Sequence, residues 1–465
     1  MMYKKLDSND VKYFKSIIPE ERILLGDQII EDYHKDELGT IKNAPEIVIK
    51  VKTTEEISKI VKYANENIIP VVVRGSGTGL VGACVPLYGG IVLDMTEMNK
   101  IINLDDKNMV LEVEPGVLIM DIYEYVEKRG FFYAPDPGEK TATIGGNVAT
   151  NAGGMRAVKY GVTRDWVVAM EVVLPNGEIT QFGRVVAKNS TGYSLKDLII
   201  GSEGTLAIIT KLYLKLAPLP EKAISILIPF NDVNLALASV PKLLQSKVTP
   251  TAIEFFEKDA IVFTESYLGK KFPETRYDAY ILLTFDGMSD EEIQEQLKQA
   301  SDLYLDNLGA EDVLIVDTQE RKEDVWTARG AFLEAIKAST TFMDECDVVV
   351  PRDKIAEYIA FTHKLSEKYQ VRIPSFGHAG DGNLHIYICK DDLDEERWNK
   401  VLNDVFKEMY DKAKEMGGLV SGEHGIGYAK KAYMKELLGN SQIELMRGIK
   451  KVFDPKGILN PDKVI

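Results

Sequence analysis

Five histidines occur in 465 residues, and three of them, His378, His385 and His424, fall in two glycine-rich stretches near the C-terminus. His378 stands in Gly-His-Ala-Gly-Asp-Gly-Asn, His385 follows where a strand begins, and Glu423 precedes His424 in Ser-Gly-Glu-His-Gly-Ile-Gly. Two imidazoles and a carboxylate make up the protein ligands of many open catalytic sites for a divalent metal, zinc or iron among them, which keep positions for substrate. Loop histidines also serve by hydrogen-bonding backbone, and this spacing matches no short zinc motif. The residues alone leave both readings open.

A second stretch with chemistry lies far upstream. "VVVRGSGTGLVGACVP", Val71 to Pro86, places Gly77, Gly79 and Gly82 in a GxGxxG after an apolar β-branched run. A dinucleotide fingerprint of this kind must open a helix, whose N-terminal N–H groups and dipole hold the phosphates. Here Pro86 and the pair Gly89-Gly90 break a helix, and "IVLDM" reads as a buried strand. The pattern therefore predicts strand, loop, strand, which counts against a nicotinamide site. Gly75, Gly77, Gly79 and Gly82 would leave backbone N–H groups exposed as a nest for an anion such as a pyrophosphate; a tight inter-strand turn is the alternative.

The elements that must position these groups follow from periodicity. "EIVIKV" and "IIPVVV" read as strands around a helix that starts at a Thr53/Glu56 capping box, with Ile57, Ile60, Val61 and Ala64 on one face. Further strands are expected at "IVLDM" and "MVLEVEPG", then a helix from about Val117 to Lys128. The glycine-rich run from Ala134 to Gly161 is too long for an ordinary connector. Its Thr141, Thr143, Gly145, Gly146, Asn147, Gly153 and Gly154 would admit a flat or phosphorylated ligand. "VVAMEVVLP" and "ITQFG" read as a hairpin through Asn176-Gly177. In "KDLIIGSEGTLAIITKLYLKL", Gly201, Glu203 and Gly204 interrupt apolar runs that read as strands, and "APLPEK" near residue 220 marks a domain break. From Ile224 the order β-α-β-β-α-β predicts a ferredoxin-like sheet, followed by a helix carrying Trp326 and Arg329, the strand "DVVVPR", another helix and the two histidine-bearing glycine loops.

Composition narrows the function classes. The length allows two or three domains. A net charge of −16 discourages nucleic acid and anionic membrane as partners, so a small acid would have to be met by local cations. Without a basic, apolar leader or an apolar run approaching the ~18 residues of a spanning helix, the expected location is cytoplasmic. Cys84, Cys346 and Cys389 lack CxxC spacing, so no disulfide framework or iron–sulfur site is signalled. Long-range electron transfer would then need another cofactor or another protein.

Six ordered blocks, "RGSGTGLVG", "PDPGEKTATIGGNVATNAGG", "GSEGTLAIIT", "FGHAGDGNLH", "SGEHGIG" and "FDPKGILNPDK", carry a resemblance from about residue 40 to the C-terminus. The chain resembles the FAD-linked D-lactate and glycolate dehydrogenase family, within the vanillyl-alcohol-oxidase-like flavoproteins. The resemblance implies an α+β protein: an N-terminal extension (1–42), a two-lobed FAD-binding domain (43–220), a ferredoxin-like substrate or cap domain (221–420), and a C-terminal, partly helical segment returning to the flavin site (421–465). It implies that Arg74, Gly75, Ser76, Gly77, Thr78 and Gly79 cradle the FAD pyrophosphate. Pro135, Gly138, Thr141, Gly145, Gly146, Asn147 and Thr150 would line the flavin, with Glu203, Gly204 and Ile208 on the adenine side and Asn460 approaching from the C-terminus. Thr78 stands where relatives with covalent flavin commonly carry histidine, so noncovalent FAD is expected.

By the same resemblance His378, His385 and Glu423 would hold a divalent metal, zinc, iron or manganese. His424 would be the general base, Arg329 would bind a substrate carboxylate and Asn383 would add a polar contact; Glu345 stands where some relatives carry lysine. The implied reaction oxidises a D-2-hydroxy acid, D-lactate first, to the 2-oxo acid by hydride transfer to flavin N5, with electrons passed to a soluble carrier such as an electron-transferring flavoprotein. The alternatives are a metal-independent flavin oxidase or lipid synthase of the same superfamily, or a noncatalytic electron-relay subunit.

Overall fold

The computed structural model describes residues 3–465. They divide into two units: the first holds residues up to Ala152 with Val162–Leu219 and Glu423–Ile465, the second Gly153–Gly161 and Pro220–Gly422.

In the first unit, β1 (Ile23–Leu24), β2 (Ile47–Lys50), β3 (Val71–Arg74) and β4 (Ile91–Asp94) form a sheet in the order β1-β2-β4-β3. Helix Thr54–Asn67 joins β2 to β3; Thr53 caps it by accepting the Glu56 N–H at 3.2 Å, and Ile57, Ile60, Val61 and Ala64 are buried as their spacing requires. The two strands that flank this helix are not neighbours, because β4 lies parallel between them. The connection from β3 to β4 contains no helix, so the glycine run is a strand-to-strand loop. The N-terminal segment is part of this body: Phe14, Ile18 and Ile23 share a core with helix Thr54–Asn67, and Tyr33 packs with Val48, Val72 and Val92.

The second sheet of this unit contains β5 (Ile101–Asp105), β6 (Val110–Val113), β8 (Val167–Val173), β9 (Ile179–Gly183) and β10 (Ile208–Lys215), antiparallel in the order β5-β6-β10-β8-β9; the short β7 (Phe131–Phe132) pairs with β11 (Ala217–Pro218). Two local expectations need correction. The apolar run Leu198–Ile200 before Gly201, expected to be strand-like, instead ends the helix Leu195–Ile199: three apolar residues have no period that separates the two states. The long glycine-rich run also contains two short helices, Ile144–Thr150, capped by Thr143, and Ala157–Tyr160. Residues 423–465 return to this unit, where Val71 donates to Ile458 O and Asn460 donates back to Val71 O at 2.8 Å each, extending β3.

The second unit is built on β12 (Lys222–Phe230), β13 (Ala252–Glu257), β14 (Ala279–Gly287), β15 (Leu314–Val316), β16 (Met343–Val349), β17 (Ser375–His378) and β18 (Asn383–Cys389). The sheet runs β15-β12-β14-β13-β17-β18-β16, so its first four strands have the antiparallel order of a ferredoxin-like fold. Three more strands continue the sheet beyond β13, which the β-α-β-β-α-β reading did not include. Helix Lys258–Leu268 also lies between β13 and β14; exposed Val262, Tyr267 and Leu268 blur its apolar stripe and hide it from a periodicity argument. His378 and His385, expected in a loop and at a strand start, sit on the buried strands β17 and β18. Among the described residues no helix is long and apolar enough to cross a membrane.

Candidate active site

Register in the second unit brings its chemical groups together. β13 pairs with β17 so that Glu254 faces His378, and β17 pairs with β18 so that Phe376 faces His385. The two imidazole rings stand 5.3 Å apart at 89°. Each is backed by a carboxylate on Nδ1: His378 by Glu254 Oε1 at 2.6 Å, His385 by Glu345 Oε1 at 2.9 Å. A carboxylate on Nδ1 fixes the tautomer and ring orientation and makes Nε2 the ligand atom, the usual arrangement behind metal-binding histidines.

Glu254 has a second partner. Arg329, on helix Gln319–Ala338, donates Nε and Nη2 to Glu254 Oε2 at 2.8 and 2.5 Å, and its guanidinium lies 4.7 Å from the Phe376 ring centre. Glu254 is wholly buried. Burial pushes its carboxyl up, but the charges of His378 and Arg329 outweigh burial and hold it down at about 2. It is an anion at any working pH, and it fixes Arg329 by two of its three nitrogens.

Asn383 follows a similar logic one strand away. Its Nδ2 donates to Asp347 Oδ1 at 2.7 Å and to Val348 O at 3.0 Å. Asp347, fully buried on β16, also accepts from Ser421 Oγ at 2.7 Å and the Gly422 N–H at 3.1 Å. A Cβ on Gly422 would sit 2.2 Å from Asn383 Nδ2, so only glycine allows this approach. The chain is thus fixed at the residue before Glu423.

In the first unit the expected cofactor residues gather around the loop after β3. Ser76 Oγ donates to Thr141 O at 2.7 Å, and a Cβ on Gly75 would lie 2.2 Å from Thr143 Oγ1, so the loop and the start of helix Ile144–Thr150 touch backbone to side chain. Glu203 donates its N–H to Ala149 O at 2.8 Å, and Asn460 Nδ2 reaches Glu203 O at 2.7 Å and Ala83 O at 2.9 Å. Gly75, Ser76, Thr141, Gly145, Gly146, Asn147, Thr150, Glu203, Gly204 and Asn460 therefore lie on contacting segments. Pro135 is buried, its carbonyl accepting from Tyr123 OH at 2.5 Å, while Gly138 is exposed and Ile208 points into the core.

Arg74 is placed beneath the loop. Its Nη1 donates to Lys35 O at 2.7 Å and contacts Cys84 Sγ at 3.2 Å, and a Cβ on Gly77 would fall 2.0 Å from Nη2. Gly77, at φ +80°, thus satisfies both a left-handed backbone and a close approach that a side chain would block. The N-terminal segment closes the arrangement: Glu37 N–H donates to Gly77 O and Gly79 O at 3.1 Å, and Gly82 N–H donates to Asp36 Oδ2 at 2.6 Å. Burial raises the Asp36 carboxyl to about 6.

The groups present in this unit fit FAD. Asn147 Nδ2, Ser202 Oγ and the Tyr133 hydroxyl are buried in this unit without a hydrogen-bond partner. Each such group costs about 1–3 kcal/mol unless something pairs with it. Asn147 and Ser202 belong to segments joined by the Gly201 N–H to Val148 O bond at 3.0 Å. Unpaired donors beside a glycine loop fit a ligand as rich in acceptors as a dinucleotide.

Sequence reasoning missed Glu254, Asp347, Asp36 and Ser202. Glu254 had a signal, a lone carboxylate inside the apolar run "AIEFFE", and so did Asp347 just before "VVVP". Asp36 lies in the charged "HKDE" and had none.

The FAD linked oxidases, C-terminal domain, match residues 219–464, and an FAD binding domain matches residues 45–183. The chain belongs to the FAD-linked oxidase family. As an FAD-linked oxidase it is 49% identical over 468 residues to a protein named D-lactate dehydrogenase from Anaerostipes hadrus, covering 99% of this chain and 98% of that one. It is 36% identical to glycolate oxidase subunit GlcD of Bacillus subtilis, over 93% of this chain and 91% of the relative. The resemblance carried by the six sequence blocks therefore holds. Solved structures of p-cresol methylhydroxylase (TM-score 0.82, 18% identity, 100% of this chain and 98% of that one) and alkyldihydroxyacetonephosphate synthase (TM-score 0.76, 20% identity, 99% and 87%) share the fold. This FAD-linked oxidase thus has the α+β, vanillyl-alcohol-oxidase-type architecture; identities this low carry the fold alone.

Proposed function

We propose that the protein is a divalent-metal-dependent D-2-hydroxyacid dehydrogenase that takes D-lactate and passes electrons to a soluble carrier such as an electron-transferring flavoprotein. The observation that carries this reading is the His378–His385 pair, each ring backed by a carboxylate, in a chain 49% identical to a protein named D-lactate dehydrogenase. In this reading His378, His385 and Glu423 hold the cation, which when bound supplies a Lewis acid for the substrate's hydroxyl and carboxylate oxygens. Noncovalent FAD, when bound, supplies the two-electron acceptor for the hydrogen on C2.

The chain's own residues have separate tasks. His424 accepts the hydroxyl proton. Arg329, with Nε and Nη2 already given to Glu254, presents its remaining Nη1–Nη2 edge to the substrate carboxylate. Asn383 has both Nδ2 hydrogens committed to Asp347 and Val348, so its task is to hold Gly422 and the chain entering Glu423. Glu345, whose Oε1 meets His385 Nδ1, offers no cation to a second substrate carboxylate, which favours lactate over a dicarboxylate.

The test is anaerobic bleaching of the flavin by D-lactate, before and after dialysis against a chelator, with zinc, manganese or iron added back. Bleaching lost on chelation and restored by one metal is the expected result. Bleaching indifferent to chelation removes the metal from the mechanism, and no bleaching by any 2-hydroxy acid removes the substrate assignment.

A further inference from the structure

Glu203 occupies an unusual place in the first unit. It adopts φ +50°, a left-handed conformation that a residue with a side chain rarely takes, so its partners must hold it there. All its polar groups are engaged. The N–H donates to Ala149 O and the carbonyl accepts from Asn460 Nδ2, while Oε1 accepts the Ile426 N–H and Oε2 the Gly427 N–H, both at 2.8 Å. One buried residue thus joins helix Ile144–Thr150 and the C-terminal segment through its backbone, and the loop that follows His424 through its side chain.

The loop side is equally constrained. A Cβ on Gly425, at φ +87°, would lie 3.0 Å from Glu203 Oε1, and one on Gly427 would lie 2.2 Å from Val81 O. The N–H groups of Tyr428 and Ala429 both donate to Val81 O, at 2.9 and 3.1 Å. The backbone from Gly425 onward therefore has one course, set by the Glu203 carboxylate on one side and the end of the glycine loop on the other. His424 is the residue immediately before it.

We propose that Glu203 is the positioning residue for His424: its carboxylate, by taking two successive N–H groups, sets the backbone course of Gly425–Gly427 and through it the aim of the imidazole. This rests on the reading of His424 as the base. It departs from an adenine-side contact, because both carboxylate oxygens are already spent on the protein's own amides. Burial raises the Glu203 carboxyl to about 7, against the Ile426 and Gly427 N–H groups and the charges of Lys430 and Lys463.

Two variants of the flavin-containing protein test it, Glu203→Ala and Glu203→Gln; the second keeps the volume and one acceptor, and carries the test if the first does not fold. The first readout is amide hydrogen exchange, which needs no turnover. Exchange across 423–430 rises in both variants, more in Glu203→Ala, while β8 is unchanged. The second is anaerobic flavin reduction by D-lactate. The limiting rate falls about 100-fold in Glu203→Ala and roughly 10-fold in Glu203→Gln, the cost expected of an ångström-scale misplacement, with flavin content and the half-saturating D-lactate concentration unchanged. Unaltered exchange at 423–430 overturns the proposal, as does loss of flavin with a normal reduction rate per flavin retained. If wild-type flavin ignores D-lactate, the substrate reading fails, and the exchange arm decides the role of Glu203 by itself.

Discussion

Glu203 in the first unit and Glu254 in the second are both buried glutamates beside candidate site residues, and they are held in opposite ways. Glu203 meets two backbone N–H groups, and burial prevails, leaving its carboxyl at about 7. Glu254 meets an imidazole and a guanidinium, and those charges prevail over burial, leaving it at about 2. Dipoles and ions at similar distances differ in what they can offset, because desolvation of a carboxylate costs several kcal/mol and a full opposite charge recovers more of it than a peptide N–H does. The same residue type therefore serves as a permanent anion that organises His378 and Arg329 in one unit, and as a backbone clamp that titrates near neutrality in the other.

The largest effect is expected at Glu254. Glu254→Ala leaves Arg329 and His378 without their buried counter-charge, and chemical denaturation should register a loss of about 3–5 kcal/mol; a loss under about 1 kcal/mol would mean that solvent already reaches the pair. The next effect is a pH slope. Glu203 has a folded pKa raised from 4.5 to about 7, so its contribution is fully present below about 4.5 and is lost as pH rises through 7. On the order of 3 kcal/mol separates the two limits, and Glu203→Gln should flatten that part of the stability curve measured across this window. Identical slopes in the two proteins would assign the raised pKa elsewhere.

Smaller changes sharpen the contrast. Glu345→Gln removes the carboxylate behind His385 while keeping its shape, and titration of metal into chelator-treated protein should show about 10–100-fold weaker binding with the fold intact. Unchanged affinity would reduce Glu345 to a substrate-side charge. Thr143→Ala deletes the cap of helix Ile144–Thr150, where Oγ1 accepts the Gly146 N–H at 3.3 Å, and should lower stability by about 1 kcal/mol in thermal unfolding.

Much of this was readable along the chain, and the misses have local causes. Helix Thr54–Asn67 and the β8–β9 hairpin were legible because four apolar residues at helical spacing, or an Asn-Gly between alternating strands, carry their own periodicity. Helix Leu195–Ile199 was not, because five residues are fewer than the two turns over which a helical repeat shows. The histidine and glycine blocks stood out as candidate sites because those residue types are rare or concentrated. Glu254 was visible only as an oddity in an apolar strand, with nothing to say which histidine it would meet.

What residue type and short-range spacing decide was present from the start: a glycine loop that cannot open a Rossmann helix, an acidic chain, and three histidines in two glycine-rich stretches. What only the packed sheet decides is pairing across long separations. Glu254 reaches His378 across 124 positions, and Glu203 reaches Ile426 across 223. Strand register and a returning C-terminal loop set those meetings, and they in turn set which carboxylate is an anion and which sits near neutrality. The sign of a buried group's pKa depends on its neighbours in space, and a one-dimensional pattern does not contain them.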